Sequence, residues 1–180
     1  MIRLFVGLDL PEDLREQLHR LGGGIPNARW LPPENLHVTV RFIGEIDEDR
    51  CDDVHNALSD IRSPAFDLEV AGIGAFENGH RAHSLWAGVE KVPELMHLHD
   101  KVDRALVGIG EAPERRKYTP HVTIARLKGA PVHKVQDFIA HNNLFRWGPW
   151  RVEHFTLFSS ELGRSGATYT AEADYPLVLG

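Results

Sequence analysis

His37-Val38-Thr39-Val40 returns 84 residues later (121 − 37) as His121-Val122-Thr123-Ile124, and the reading of the chain turns on that recurrence. In a β-strand alternate side chains share a face, so each copy points its histidine and threonine one way and its apolar partners the other. His37 with Thr39, and His121 with Thr123, therefore form two polar couples on strands. Either couple alone reads as a strand histidine held by structural hydrogen bonds. Its duplication reverses that reading, because duplication gives no packing reason to keep the same polar pair twice.

The repeat extends outward from the motifs. Leu4-Phe5-Val6-Gly7-Leu8 aligns with Leu85-Trp86-Ala87-Gly88-Val89 at an offset of 81 (85 − 4), and both read as strands. Each is followed by a proline that opens a helical pattern, with Leu14, Leu18 and Leu21 in one and Leu95, Leu98, Val102 and Leu106 in the other. Proline-bearing lead-ins, Pro32-Pro33-Glu34-Asn35-Leu36 and Tyr118-Thr119-Pro120, set an extended entry to the motif strands. Helical patterns follow over Glu48 to Ile61 and Val132 to His141. Beyond them, Phe66 to Val70 with Ile73 to Phe76 aligns with Trp150 to Phe158 at an offset of 84 (152 − 68). A unit of about 80 residues is too long for a solenoid, whose periods run roughly 20 to 50. The expected fold is α+β: residues 1–180 as one domain built by internal duplication, with two pseudo-symmetric lobes. Each lobe is expected to be a mainly antiparallel sheet with helices on its outer face, and the two enclose a central cleft presenting both motifs. Gly22-Gly23-Gly24 reads as a helix stop; it lacks the following helix and the Gly-Lys-Ser/Thr of a phosphate loop.

Composition narrows the classes. Twenty Lys and Arg against 26 Asp and Glu leave a net charge of −6, which disfavours an unspecific grip on long nucleic acid but not a small phosphate held locally. One cysteine, Cys51, cannot form an internal disulfide or a thiolate cluster, and its acidic setting, Asp-Arg-Cys-Asp-Asp, raises a thiol pKa. No apolar run approaches the roughly 20 residues of a membrane span, and no signal-like segment is recognisable. A cytoplasmic chain that does not engage membranes is expected.

Two histidines on opposite sides of a phosphate can hold opposite protonation states, one taking a proton from the nucleophile while the other protonates the leaving oxygen. Threonine hydroxyls on the same face would donate to the non-bridging oxygens as charge builds. Zinc is the competing use of paired imidazoles, but each motif supplies one histidine with no carboxylate beside it, and a zinc site wants at least three protein ligands. No metal or other cofactor is expected. Strict alternation turns Arg126 away from the His121 face unless the strand ends or bulges, whereas Arg41 shares the parity of His37 and Thr39 but reads as a solvated strand-end residue. Arg115-Arg116-Lys117-Tyr118 reads as a solvated loop or, alternatively, as a nucleotide-facing loop with Tyr118 as a stacking surface. His19, His55, His80, His83, His97, His99, His133, His141 and His154 have no repeated partner and default to solvated or capping roles.

At these positions the chain resembles the two-histidine (2H) phosphoesterase superfamily, and within it the RNA 2′,3′-cyclic phosphodiesterase (2′-5′ RNA ligase) branch. The resemblance rests on Arg3-Leu4-Phe5-Val6-Gly7-Leu8-Asp9-Leu10-Pro11, on Trp30 to Gly44 around the first motif, on Leu85 to Val89, and on Thr119-Pro120-His121-Val122-Thr123-Ile124-Ala125-Arg126. It implies metal-independent hydrolysis of a terminal 2′,3′-cyclic phosphate to a 2′-phosphomonoester, with His37 as proton donor and His121 as proton acceptor. It also implies that Thr39, Thr123 and Arg126 hold the phosphate, and that a 5′-hydroxyl replacing water gives reversible 2′-5′ joining. The partner it implies is an RNA end, such as a tRNA fragment, or a cyclic nucleotide, met by a monomer. A nucleotide- or RNA-end-binding module without turnover is the alternative reading.

Overall fold

Leu4, Val6 and Leu8 are buried along the first strand, β1 (Ile2–Asp9), and in the computed structural model, which describes residues 1–179, that strand runs through the interior of a sheet. Its neighbours are β3 (His37–Ile46) and β8 (His154–Gly163), and β9 (Gly166–Pro176) completes the order β3-β1-β8-β9. The second sheet has the order β2-β6-β5-β4-β7, built from β2 (Arg29–Trp30), β4 (Phe66–Asn78), β5 (Arg81–Val89), β6 (His121–Pro131) and β7 (Arg146–Val152). Every pairing within the two sheets is antiparallel. The expected α+β architecture of two sheets is the one observed.

Without its edge strand β2, the order β6-β5-β4-β7 repeats β3-β1-β8-β9. After each motif a strand crosses over: β4, from the first half of the chain, joins the sheet of His121, and β8, from the second half, joins the sheet of His37. Trp150 to Phe158, expected as one β-rich run, is accordingly split at Glu153 between β7 and β8, in different sheets. Apolar alternation marks residues as extended; it carries no information on which strand they pair with.

The helices are α1 (Glu12–Arg20), α2 (Cys51–Ser59), α3 (Pro93–Gly108) and α4 (Val132–Asn142). Helices α2 and α3 pack on each other and on the four-stranded sheet, and α4 packs on β4, β5 and β6. Leu95, Leu98, Val102 and Leu106 are the buried face of α3, as their spacing predicts. After α1 the chain turns through Gly23 and Gly24, whose φ values of 128° and 83° suit the glycine run.

Cross-strand register corrects the repeat by two residues. Thr39 lies opposite Gly7 and Thr123 opposite Trp86, so Gly7 corresponds to Trp86, 79 positions on (86 − 7), and not to Gly88. Gly7 also faces Thr156 while Trp86 faces Gly74, which relates β4 to β8 by 82 (156 − 74) instead of 84. A shift of two leaves every side chain on its own face, so a period-2 pattern cannot detect it.

Candidate active site

A cavity of about 710 Å³ is lined from one sheet by His37, Thr39 and Phe42 and from the other by His121, Thr123 and Arg126. Strict alternation would have placed residues 41 and 125 there. Instead both motif strands bulge at the same place. Val6 pairs with Arg41 and Gly7 with Thr39, leaving Val40 over, and Leu85 pairs with Ala125 and Trp86 with Thr123, leaving Ile124 over. The extra residue reverses parity beyond the threonine, so Arg126 reaches the face of His121. Phe42, 84 residues earlier (126 − 42), takes the matching place beside His37.

The same bulge removes Arg41 from the cleft. Instead of being solvated at the strand end, its buried guanidinium donates from Nε to Asp103 Oδ1 at 3.0 Å and from Nη1 to the Phe42 carbonyl at 2.7 Å. It is an internal strut between β3 and α3.

The two imidazoles are oriented alike by backbone. His37 Nδ1 donates to the carbonyl of Asn35 at 2.8 Å and His121 Nδ1 to that of Thr119 at 2.7 Å, in each case two residues upstream. A carbonyl can only accept, so these bonds put the proton of each neutral ring on Nδ1 and leave Nε2 as the exchanging nitrogen. The proline-bearing lead-ins supply both carbonyls. On the Nε2 side the copies differ. His37 Nε2 lies 3.0 Å from Thr39 Oγ1, whereas His121 Nε2 has no hydrogen-bond partner among the described residues.

Surroundings lower the proton affinity of both rings. His37 packs against Phe5 at 4.8 Å between centroids and edge-on to Tyr169 at 5.3 Å, and Gly7 lets the β3 backbone approach β1 here, since a Cβ there would lie 2.9 Å from the Val38 carbonyl. Burial is the main cause that brings the His37 pKa down to about 4; Arg126 and His121 push it further down, against the Asn35 carbonyl and Asp9. His121, flanked by Phe76 at 4.9 Å, is also held below its usual value, first by burial and then by Arg126, against the Thr119 carbonyl. Arg126 thus acts electrostatically on both histidines.

Several sequence expectations outside the motifs need correction. Tyr118 is not a stacking surface for a nucleotide. Its ring stacks on His99 at 4.2 Å and its hydroxyl donates to the Thr39 carbonyl at 2.8 Å, with burial raising its pKa. His99 is neither solvated nor a cap; it is buried on α3 and its Nδ1 donates to the carbonyl of the bulged Val40 at 2.8 Å. His55 bonds the Tyr175 hydroxyl at 2.8 Å. Cys51 begins α2, and burial together with Glu48 and Asp52 raises its thiol pKa.

The sequence reading also missed one wall of the cleft. Ser160, Leu162, Gly163, Ala167 and Tyr169 of the β8–β9 hairpin line it, and Asn35 Nδ2 donates to the Ala167 carbonyl at 2.8 Å to tie the hairpin down. The alternating stretch Ala167 to Tyr175 was a strand signal that no repeat partner reinforced. Among the described residues no three His, Cys, Asp or Glu side chains converge as metal ligands, and no helix is long and apolar enough to cross a membrane.

The chain that builds this cavity matches a known family. The model of LigT-like phosphoesterases matches residues 8–86 and 89–169. The chain belongs to the LigT-like phosphoesterase family. A family member from Methanothermobacter thermautotrophicus, named RNA 2′,3′-cyclic phosphodiesterase, is 32% identical over 94% of this chain and 95% of its own length. One of the same name from Escherichia coli K12 is 28% identical over 93% of this chain and 92% of that protein. The LigT-like fold is also seen in the crystal structure of the Thermus thermophilus protein TT0787, with a TM-score of 0.80 and 24% identity over 97% of each chain.

Proposed function

We propose that this chain hydrolyses the 2′,3′-cyclic phosphate at an RNA end to a 2′-phosphomonoester, with His121 as general base and His37 as general acid. Family membership and relatives that carry the name RNA 2′,3′-cyclic phosphodiesterase support the reaction class. The unequal state of the two Nε2 atoms carries the direction. The lone pair of His121 Nε2 is free to take a proton from water, while that of His37 is engaged by the Thr39 hydroxyl. Water oxygen attacks phosphorus as its proton passes to His121, the P–O3′ bond breaks, and O3′ takes the proton from His37 Nε2. The product carries a 2′-phosphate and a 3′-hydroxyl, and solvent returns each ring to its starting state.

Burial keeps His37 neutral in the free protein at pH 7, so the ring must take up a proton from solvent as the substrate binds. An anionic phosphate between the rings favours the charged imidazolium of both, and the assigned roles require the larger rise at His37. Protonation at Nε2 turns the His37–Thr39 bond around, which frees the threonine hydroxyl to donate to a non-bridging oxygen. Thr123 and Arg126 hold the phosphate from the opposite wall, and Arg126 neutralises the charge that builds on it. A 5′-hydroxyl in place of water would yield a 2′-5′ linkage by the same proton transfers.

All of these groups belong to the chain itself, and one copy supplies both motifs, which supports a metal-independent monomer. The same reading assigns it to the cytoplasm, on RNA ends such as those of tRNA fragments, as one domain whose halves arose by duplication. The test is incubation with an oligonucleotide ending in a 2′,3′-cyclic phosphate, in excess chelator. A 2′-phosphate product is expected; tight binding without product would mean a binding module, and chelator-sensitive cleavage would mean a metal site.

A further inference from the structure

Arg29 and Arg126 stand directly opposite each other on β2 and β6, and both line the cleft. Side chains so placed have Cβ atoms about 5 Å apart, and like charges there destabilise a sheet. Among the described residues neither guanidinium has an ion-pair partner, although the chain carries six more acidic than basic side chains. Anions in the cleft would relieve that repulsion. The two do not share one position, however. Arg126 acts on both histidines, whereas Arg29 reaches along the cleft to the tip of the β8–β9 hairpin, where its Nη2 lies 3.5 Å from the Arg164 carbonyl.

We propose that Arg29 is the site of a second phosphate, the phosphodiester on the 5′ side of the terminal nucleoside, so that the cleft selects an oligonucleotide end over a free cyclic mononucleotide. This rests on the reaction assigned above, in which the terminal phosphate occupies the histidines and Arg126. The next negative charge of an RNA end is the 5′-side phosphodiester. A planar guanidinium donor fork on an edge strand, with no acidic partner, is suited to receive it. On the other side of the cleft Arg3 lies over the Phe42 ring, 5.4 Å from its centroid, and is occupied there.

The test reads binding and not turnover. Titration calorimetry compares a nucleoside 3′-monophosphate with the corresponding 3′,5′-bisphosphate, whose 5′-phosphate stands in for the phosphodiester. The wild-type chain is expected to prefer the bisphosphate by about tenfold, the scale of one charge-assisted contact. In R29A the preference should fall to about twofold or less, and in R29K it should lie between. Arg29 is exposed on a two-residue edge strand, and circular dichroism checks that the variants fold. No wild-type preference, no binding of either ligand, or a full preference retained in R29A would each overturn the second-phosphate site. Failure of the reaction assignment reads separately, as an absence of cleavage of the cyclic-phosphate oligonucleotide by a chain that still shows the binding preference.

Discussion

The wall that carries His37 and the wall that carries His121 share a plan and differ in chemistry. Both keep a histidine whose Nδ1 donates to a carbonyl two residues upstream, a threonine two residues on, and a bulge immediately after it. Past the bulge they part: the first wall offers Phe42 and the second Arg126. The first ring is enclosed by Phe5 and Tyr169 and bonded to its threonine, whereas the second leaves Nε2 unpartnered among the described residues. Even the bulges are secured differently, the Val40 carbonyl by His99 of α3 and the Ile124 carbonyl by the Leu31 amide at 3.0 Å. What is common to the walls orients both imidazoles alike, and what differs gives the two Nε2 atoms unequal surroundings.

The largest effects should come from removing what is common. His37→Ala and His121→Ala are each expected to lower kcat by about 10² to 10⁴-fold while circular dichroism stays unchanged. Wild-type turnover in either variant would break the pairing of the two walls. Next comes the difference past the bulge: Arg126→Ala should cost about 10²-fold in kcat/KM, as loss of a charge-stabilising donor does. Phe42→Ala should cost about two- to fivefold, the scale of its exposed contact with Arg3. Equal losses at the two positions would mean that the walls bear on the phosphate alike.

The smallest effect is a slope of stability against pH. His37 has a folded pKa of about 4 against 6.5 when unfolded, so between those values the unfolded chain binds a proton that the folded one does not. The histidine therefore leaves stability intact above pH 6.5 and erodes it as pH falls towards 4, and His121 acts in the same direction. Urea unfolding at several pH values should show this slope, and His37→Gln should flatten it. A slope unchanged in His37→Gln would show that the first ring is no drier than the second.

Much of this molecule was legible in its sequence because hydrophobic periodicity and punctuation are local. The face of α3, the glycine stop after α1 and the strands of the motifs follow from residues within a turn or a few strand positions of one another, and the pairing of His-x-Thr with His-x-Thr follows from recurrence of the motif along the chain. Arg126 marks the edge of that legibility. Sequence parity placed it on the wrong face unless a bulge intervened, and the bulge forms because β6 must match β5 on both sides of Ile124. Tyr118 and His99 lie beyond that edge, since nothing nearby in the sequence indicates that they stack on each other and hold the Thr39 and Val40 carbonyls.

The sequence by itself determined the α+β class, the recurrence of the motif and the two polar couples that face the cleft, since these depend on alternation along single strands and on repetition. Only the tertiary structure decided that β4 and β8 trade sheets, that Phe42 and Arg126 and not Arg41 flank the histidines, and that Arg29 stands against Arg126. The physical reason lies in pairing. Which strand a segment joins, and in what register, is set by hydrogen bonds and side-chain contacts with residues far away in the chain, and a period of two looks the same before and after a shift by two.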